Sequence, residues 1–318
     1  MKYKVFVDGQ MGTTGLQIHE RLEKHPNVEL MMIDPEKKKD IEEKKKYLNN
    51  ADIVFLCLPD EAARQSAKLV TNPKTKIIDP SVGHRTTKGW TYGMPELVKG
   101  QREKIAASSR VTVPGCHASA FILSVAPLIN MRIMPNDYPV TVHSLTGYSG
   151  GGKNLIEKYE NKEVNTPYIK SPRPYALGLS HKHLPEMKMY SGLKNDPIFL
   201  PILSNYYKGL AVTIPIYNHL LSKKMTSAEI ALSLAEYYEE ERFVKVMPYQ
   251  PMDLLFDGGF DVTACNDTNK CDIFVFGNDE NGTTLILTRL DNLGKGASGA
   301  AVQNMNIIMG IDEDTSLE

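Results

Sequence analysis

Tryptophan occurs once and cysteine four times in this chain of 318 residues. Four thiols (Cys57, Cys116, Cys265 and Cys271) in so long a chain do not make a disulfide framework, and reduced thiols in a cytoplasmic protein are expected. They are not spaced as a zinc site either, because Cys265 and Cys271 lack a second pair. Charge of one sign is also missing. The chain has 37 Lys and Arg against 38 Asp and Glu, a net charge of −1, so neither a nucleic acid nor an anionic membrane is expected as a partner. No apolar run approaches the roughly 20 residues that span a bilayer, and because Met1-Lys2-Tyr3-Lys4 leads directly into a strand, no signal peptide is expected. Internal repeats and low-complexity tracts are absent. What remains is a 42% hydrophobic chain, long enough for a sizeable core shared between two domains.

The N-terminal third alternates strands and helices. Residues 3–8 alternate as a strand, a glycine-rich segment from Gly9 to Gly15 follows, and Leu16, Ile18 and Leu22 recur at helical spacing. Strand, glycine loop and helix form the context of a dinucleotide fingerprint, in which backbone N–H groups meet a pyrophosphate. The spacing G-x-x-G-x-x-G matches the generic motif loosely, and a bare strand–helix turn reads the same way. The second strand, residues 28–33, ends at Asp34, where the ribose-reading residue belongs. The mixed charges of residues 37–46 read as a solvated helix or loop. Residues 52–58 form a continuous apolar run, as in a strand covered on both faces. Leu58-Pro59 ends it, a helix follows over 61–70, and a strand over 76–79 leads into Pro80-Ser81-Val82-Gly83-His84-Arg85. This order predicts an α/β fold with a doubly wound parallel sheet, ligands lying beyond the carboxyl ends of its strands.

Val113-Pro114-Gly115-Cys116-His117-Ala118 carries the chemistry. Residues 110–113 read as a strand, Pro114-Gly115 as a turn, and residues 119–131 as a helix with Phe121, Val125 and Leu128 on its apolar face. Unpaired N–H donors at a helix start stabilise a thiolate and lower a thiol pKa from about 8.5 towards neutrality. A buried, inert cysteine is the competing reading. Beyond it, residues 139–145 read as a strand. Thr146-Gly147-Tyr148-Ser149-Gly150-Gly151-Gly152-Lys153 then fits either a loop around an anion or a flexible connection. His181 and His183 lie two apart on what reads as an extended segment, which turns both to one side. They suit acid–base work or metal ligation, and without a nearby carboxylate–histidine cluster metal is discounted. Strands over 210–217, 272–276 and 283–290, a capping box at Thr226 and Glu229, and packing positions Ile230, Leu234 and Tyr238 indicate a mostly antiparallel middle region with helices to one side. A final helix runs to about Met309.

A thiolate beside a dinucleotide suggests redox chemistry through a thioester. The motifs Val-Pro-Gly-Cys116-His-Ala, Gly-Tyr-Ser-Gly-Gly-Gly152, Arg173-Pro-Tyr, His181-Lys-His183-Leu-Pro-Glu-Met187 and Leu-Asp-Asn292-Leu-Gly294-Lys-Gly296-Ala-Ser-Gly together resemble the N-acetyl-gamma-glutamyl-phosphate reductases of the shorter variety, in the aspartate-semialdehyde dehydrogenase-like superfamily. The resemblance spans nearly the whole chain. It implies a Rossmann domain over 1–115 plus 293–318, with an inserted α+β domain for catalysis and oligomerisation over 116–292. It also implies NADPH-dependent reduction of an acyl phosphate, with NADP rather than NAD as cofactor, in arginine biosynthesis. Cys116 is then the nucleophile, with His181 or His183 as acid–base partner. Gly9, Gly12, Thr13, Thr14, Gly15, Asp34, Leu58, Pro59, Asn292 and Gly294 are assigned to the cofactor. Ser81, Arg85, Ser149, Gly150, Lys153 and Arg173 are assigned to the substrate. A homo-oligomer, dimer or tetramer, is expected, without metal. Asp34 departs from the NADP pattern, since a carboxylate repels a 2′-phosphate, and Lys37 to Lys39 are the offsetting charges. Aspartate-semialdehyde dehydrogenase and the carrier-protein-linked lysine or arginine enzyme are the rival enzymes. A nucleotide sensor would have no reason for the cysteine, and a cysteine hydrolase none for the glycine loop.

Overall fold

The computed structural model describes residues 2–9, 12–37, 40–161 and 167–317, without the side chains of Thr13 and Tyr168. The chain forms two compact units, Met1–Gly115 with Ala297–Glu318, and Cys116–Gly296.

In the first unit, β1 (Tyr3–Asp8), α1 (Thr13–Glu23), β2 (Val28–Met31), α2 (Ile41–Asn50), β3 (Ile53–Leu56), α3 (Asp60–Leu69), β4 (Lys76–Asp79), β5 (Thr91–Tyr92), α4 (Gln101–Ala107) and β6 (Arg110–Thr112) follow in order. The six strands pair in the order β2-β1-β3-β4-β6-β5, and every pairing is parallel. Burial on both faces explains the unbroken Ile-Val-Phe-Leu of β3, all four residues of which are buried. Phe6, Leu48, Val54, Leu56, Ala63 and Ala67 form one core cluster, which fastens α2 and α3 to the sheet. Residues 41–46 of the charge run lie in α2, whose first turn is capped by Asp40 accepting from the N–H groups of Glu42 and Glu43. Leu16, expected on the apolar face of α1, is 52% exposed, while Ile18 and Leu22 are buried.

The second unit opens with α5 (Cys116–Asn130) and β7 (Thr141–Gly147), then α6 (Lys153–Glu160), α7 (Pro167–Lys170), β8 (Arg173–Pro174), α8 (Leu184–Ser191) and β9 (Ile198–Ser204). It continues through β10 (Leu210–Tyr217), α9 (Ser227–Tyr237), β11 (Val244–Val246), β12 (Cys271–Asn278) and β13 (Thr283–Leu290). The sheet order is β11-β12-β13-β10-β7-β9-β8. Its pairs are antiparallel except β11 with β12 and β7 with β9. Helix α5 was expected to bury one face, yet His117 through Leu128 are all buried. It is a core helix, apolar all round. It packs on β10 and β13, with Ser124 Oγ and Thr288 Oγ1 2.7 Å apart. The capping box at Thr226 and Glu229 is formed, and Ile230, Leu234 and Tyr238 are buried as expected.

A turn of π-helix, Gly294–Ser298, leads into α10 (Gly299–Met309), which belongs to the first unit and packs on α1, α4 and β4. Asn304 and Asn306 are buried along it and donate to the carbonyls of Gly93 and Thr315.

Candidate active site

Cys116 is the first residue of α5 and half-buried, at the end of the helix whose first N–H groups have no partner within the helix itself. Burial pushes the Cys57 thiol well above its usual range and Cys265 up to about 12. A Cβ on Gly296 would lie 2.7 Å from the Cβ of Cys116. Glycine there lets the backbone close against the nucleophile.

Two histidines, His181 and His183, gather around His117, the residue after Cys116. The His117 ring centroid is 5.7 Å from that of His181 and 5.6 Å from that of His183, and those two are 4.7 Å apart. Phe199 lies 5.3 Å from His117 and 5.0 Å from His181. His117 Nδ1 is 2.7 Å from Ser144 Oγ, and Nε2 is 3.1 Å from the Tyr175 hydroxyl. Burial, then the charges of His181 and Lys182, lower the His117 pKa to about 3. Burial, then Cys116, push the Tyr175 phenol above its usual range. The extended segment expected for His181 and His183 is a turn instead. The N–H of Leu184 donates to the carbonyl of His181, and His183 has helical dihedrals at the N-cap of α8. The backbone N–H of His183 donates to His181 Nδ1 at 3.1 Å, which leaves the proton of a neutral His181 on Nε2. His117, Ser144 and Tyr175 were not assigned from sequence. The signals were there: His117 adjoins the nucleophile, and Tyr175 completes Arg-Pro-Tyr.

The glycine-rich segment after β7 is a short 3₁₀ turn, Tyr148–Gly151, followed by α6. A Cβ on Gly147 would lie 2.5 Å from the Tyr207 carbonyl oxygen. Ser149 is buried, Gly150 exposed, and Lys153 is an exposed first-turn residue of α6, 3.7 Å from Glu157. Asn292 is buried between two neighbours, its Oδ1 accepting from Gly209 N–H at 2.8 Å and its Nδ2 donating to Ser149 Oγ at 3.0 Å. Gly294 packs so tightly that a Cβ would lie 2.3 Å from the Thr268 carbonyl oxygen. Arg173 donates to the Tyr159 hydroxyl, with its guanidinium 5.3 Å from that ring.

In the first unit the strand ends form one rim. Gly9 follows β1 with φ +94°, and a Cβ there would lie 2.2 Å from the Cys57 carbonyl oxygen. Only glycine turns the chain this way at such proximity. Gly12 caps α1 and donates its N–H to Gly9, while Thr14 and Gly15 lie in the first helical turn. The loop sits where strand order reverses between β1 and β3, the place such sheets take ligands. Residues 10 and 11 of this loop lie outside the described residues. Leu58 and Pro59 stand at the adjacent strand end, Pro59 capping α3. Asp34 is exposed, its Oδ1 accepting the Glu36 N–H at 3.0 Å. Lys38 and Lys39 lie outside the described residues. Ser81 Oγ donates to Asp79, which also lies 2.5 Å from His84 Nδ1. Buried Arg85 donates from Nε to the Val113 carbonyl and from Nη2 to the Pro80 carbonyl, both at 2.9 Å. Ser81 and Arg85, two of the residues expected at the substrate, thus brace their own rim. Arg85 holds the strand end that runs on to Cys116.

The family model described as Semialdehyde dehydrogenase, NAD binding domain matches residues 4–107, and Semialdehyde dehydrogenase, dimerisation domain matches residues 116–292. The chain is 46% identical to N-acetyl-gamma-glutamyl-phosphate reductase 2 of Nostoc sp. over 99% of both chains. It is 42% identical to the N-acetyl-gamma-glutamyl-phosphate reductase of Chelativorans sp., over 97% of this chain and 99% of that one. Among solved structures, aspartate semialdehyde dehydrogenase II of Vibrio cholerae complexed with ASA superposes with a TM-score of 0.70 at 13% identity, over 98% of this chain and 99% of that one. Aspartate semialdehyde dehydrogenase with NADP from Candida albicans gives 0.68 at 15%, over 96% and 98%. At these identities the structures establish a shared fold.

Proposed function

Since the chain belongs to the N-acetyl-gamma-glutamyl-phosphate reductase family of oxidoreductases, we propose that it reduces N-acetyl-gamma-glutamyl phosphate to the 5-semialdehyde, releasing phosphate, in cytoplasmic arginine biosynthesis. The observation that carries this reading is Cys116 at the head of a buried 15-residue helix, beside three clustered histidines. The Cys116 thiolate attacks the acyl-phosphate carbonyl, a C–S bond forms, and phosphate departs with the C–O electron pair. N–H donors at the start of α5 steady the oxyanion. Bound NADPH supplies the hydride equivalent. The resulting thiohemiacetal collapses, the C–S bond breaks, and the thiolate is regenerated with the aldehyde. His181 or His183 moves the proton, and the Nε2–H of His181 is oriented by the bond to its Nδ1. Ser149, Gly150, Lys153 and Arg173 are the donors offered to phosphate and carboxylate.

The tight glycine turn at Gly9, with Gly12 at the head of α1, supports binding of a nicotinamide dinucleotide. Selectivity for NADP over NAD is part of the proposal, Lys37 offsetting Asp34. The assay runs in reverse: N-acetylglutamate semialdehyde, phosphate and NADP⁺ or NAD⁺, followed at the nicotinamide absorbance. Phosphate-dependent turnover favouring NADP⁺ is expected. A silent enzyme would refute the substrate, and equal rates would refute the selectivity.

Homo-oligomerisation belongs to the same reading. One face of the second sheet lies under α5. The other carries the paired, partly exposed residues Leu145 with Ile202, Pro215 with Leu285, and Leu285 with Phe276. A second copy of the chain covers this apolar strip.

A further inference from the structure

Asp8 closes β1 and has no duty in the reaction just described. Strand alternation puts it on the face of Phe6, two positions back, which packs in one cluster with Leu48 of α2 and with Ala63 and Ala67 of α3. Lys44 stands one helical turn before Leu48, and Ser66 one turn after Ala63. The three polar residues meet where the apolar stripe ends. Lys44 Nζ lies 3.1 Å from Asp8 Oδ1, and Ser66 Oγ donates to Asp8 Oδ2 at 2.6 Å. The Asp8 side chain is 6% exposed and that of Lys44 23%, so neither charge is left to water alone. The Asp8 carbonyl accepts the Cys57 N–H at 2.7 Å, and the next residue is Gly9, whose turn has no room for a Cβ. Helix N–H groups draw a pyrophosphate to such a loop. A bare carboxylate one residue from the turn would oppose them.

We infer that Lys44 sets the affinity for the dinucleotide, its ammonium cancelling the Asp8 charge beside the glycine turn so that the loop accepts an anionic pyrophosphate. Ser66 assists by holding the second carboxylate oxygen. The ammonium is engaged by Asp8, so the ribose 2′-phosphate is not its ligand, and NADP⁺ and NAD⁺ feel it equally. This inference rests on the dinucleotide reading of the Gly9 loop and deepens it by naming the charge balance the loop needs. A mere brace between β1 and α2 behaves differently. Breaking a brace from either side weakens binding alike, whereas breaking a charge balance from its two sides has opposite effects.

The test is calorimetric titration of NADP⁺ and of NAD⁺ into wild type, Lys44→Met, Asp8→Asn and the double variant. An uncancelled unit charge near a bound anion, at the effective dielectric of a protein surface, changes its affinity by on the order of 10-fold. Lys44→Met therefore weakens both dinucleotides by that factor. Asp8→Asn keeps the shape of the side chain, leaves the Lys44 cation uncancelled, and tightens both. The double variant, with neither charge, returns to within about threefold of wild type, the two sites being coupled rather than additive. Weaker or unchanged binding in Asp8→Asn overturns the inference, and so does a loss in Lys44→Met confined to NADP⁺. If Lys44→Met does not fold, Asp8→Asn alone decides, and if Asp8→Asn does not fold, unmoved affinity in Lys44→Met overturns the inference. A wild type that binds neither dinucleotide refutes the cofactor reading and the inference with it. A wild type that binds, beside a folded Lys44→Met of equal affinity, refutes the inference alone.

Discussion

Gly296 has no room for a side chain, and the neighbour it would strike is the nucleophile. Gly296→Ala pushes a methyl against Cys116, and a displacement approaching 1 Å costs on the order of 100-fold in rate. The expected result is that loss in kcat with a near-native circular dichroism spectrum. Unchanged kcat would show that the backbone yields instead. His117 gives a second residue-scale prediction, through stability. Its folded pKa of about 3 lies below the value near 6.5 of the unfolded chain. Between those values the unfolded state binds the extra proton, so stability is present above pH 6.5 and is lost as pH falls towards 3. From pH 7 to pH 5 this group alone removes about 2 kcal/mol, at 1.36 kcal/mol per pH unit. Urea unfolding of wild type and His117→Gln at both values checks this. Wild type should lose more stability than the variant, and equal losses would contradict a buried neutral imidazole.

Elements differ in how openly the sequence declares them. The box at Thr226 and Glu229 is local chemistry, readable wherever it stands, and it formed. Thr226→Ala should cost about 1 kcal/mol in urea unfolding without changing the kcat of the folded enzyme. A loss near zero would mean that packing of Ile230 and Leu234 holds α9 unaided. Strand β3 was legible because an unbroken Ile-Val-Phe-Leu admits few other readings. His181 and His183 were legible as a pair but not as a turn. Their two-residue spacing imitates strand alternation, and only Pro185 and the turn at Leu184 bring the rings together at the head of α8. Strand β8 has two residues, too few for any periodicity. The joining of Tyr175 to His117, 58 positions away, is a tertiary fact that no local pattern encodes. Helix α5 was read as amphipathic because three large apolar residues marked one side. Ala118, Ser119, Ala120 and Ser124, small residues compatible with either environment, are buried as well.

At the scale of the molecule, the α/β architecture with a parallel, doubly covered N-terminal sheet follows from alternating elements, and the second, largely antiparallel sheet from hairpins such as β12–β13. The proposed oligomer interface is assembled from β7, β9, β10, β12 and β13, so no single segment would show it. Leu285→Asp puts a charge in the middle of the apolar strip, opposite Pro215 and Phe276. Light scattering should then report a monomer where wild type is a larger species. An unchanged mass would place the interface elsewhere.

The claim on which the rest depends is that Cys116 carries the acyl group as a thioester. Enzyme incubated with N-acetylglutamate semialdehyde and NADP⁺ but no phosphate should form about one NADPH per active site in a burst. Acid quench and peptide mass spectrometry should then find the acyl group on the Cys116 peptide, and Cys116→Ser should show neither signal. Steady turnover without a burst, or an acyl group on Cys57 or any other residue, would contradict the account.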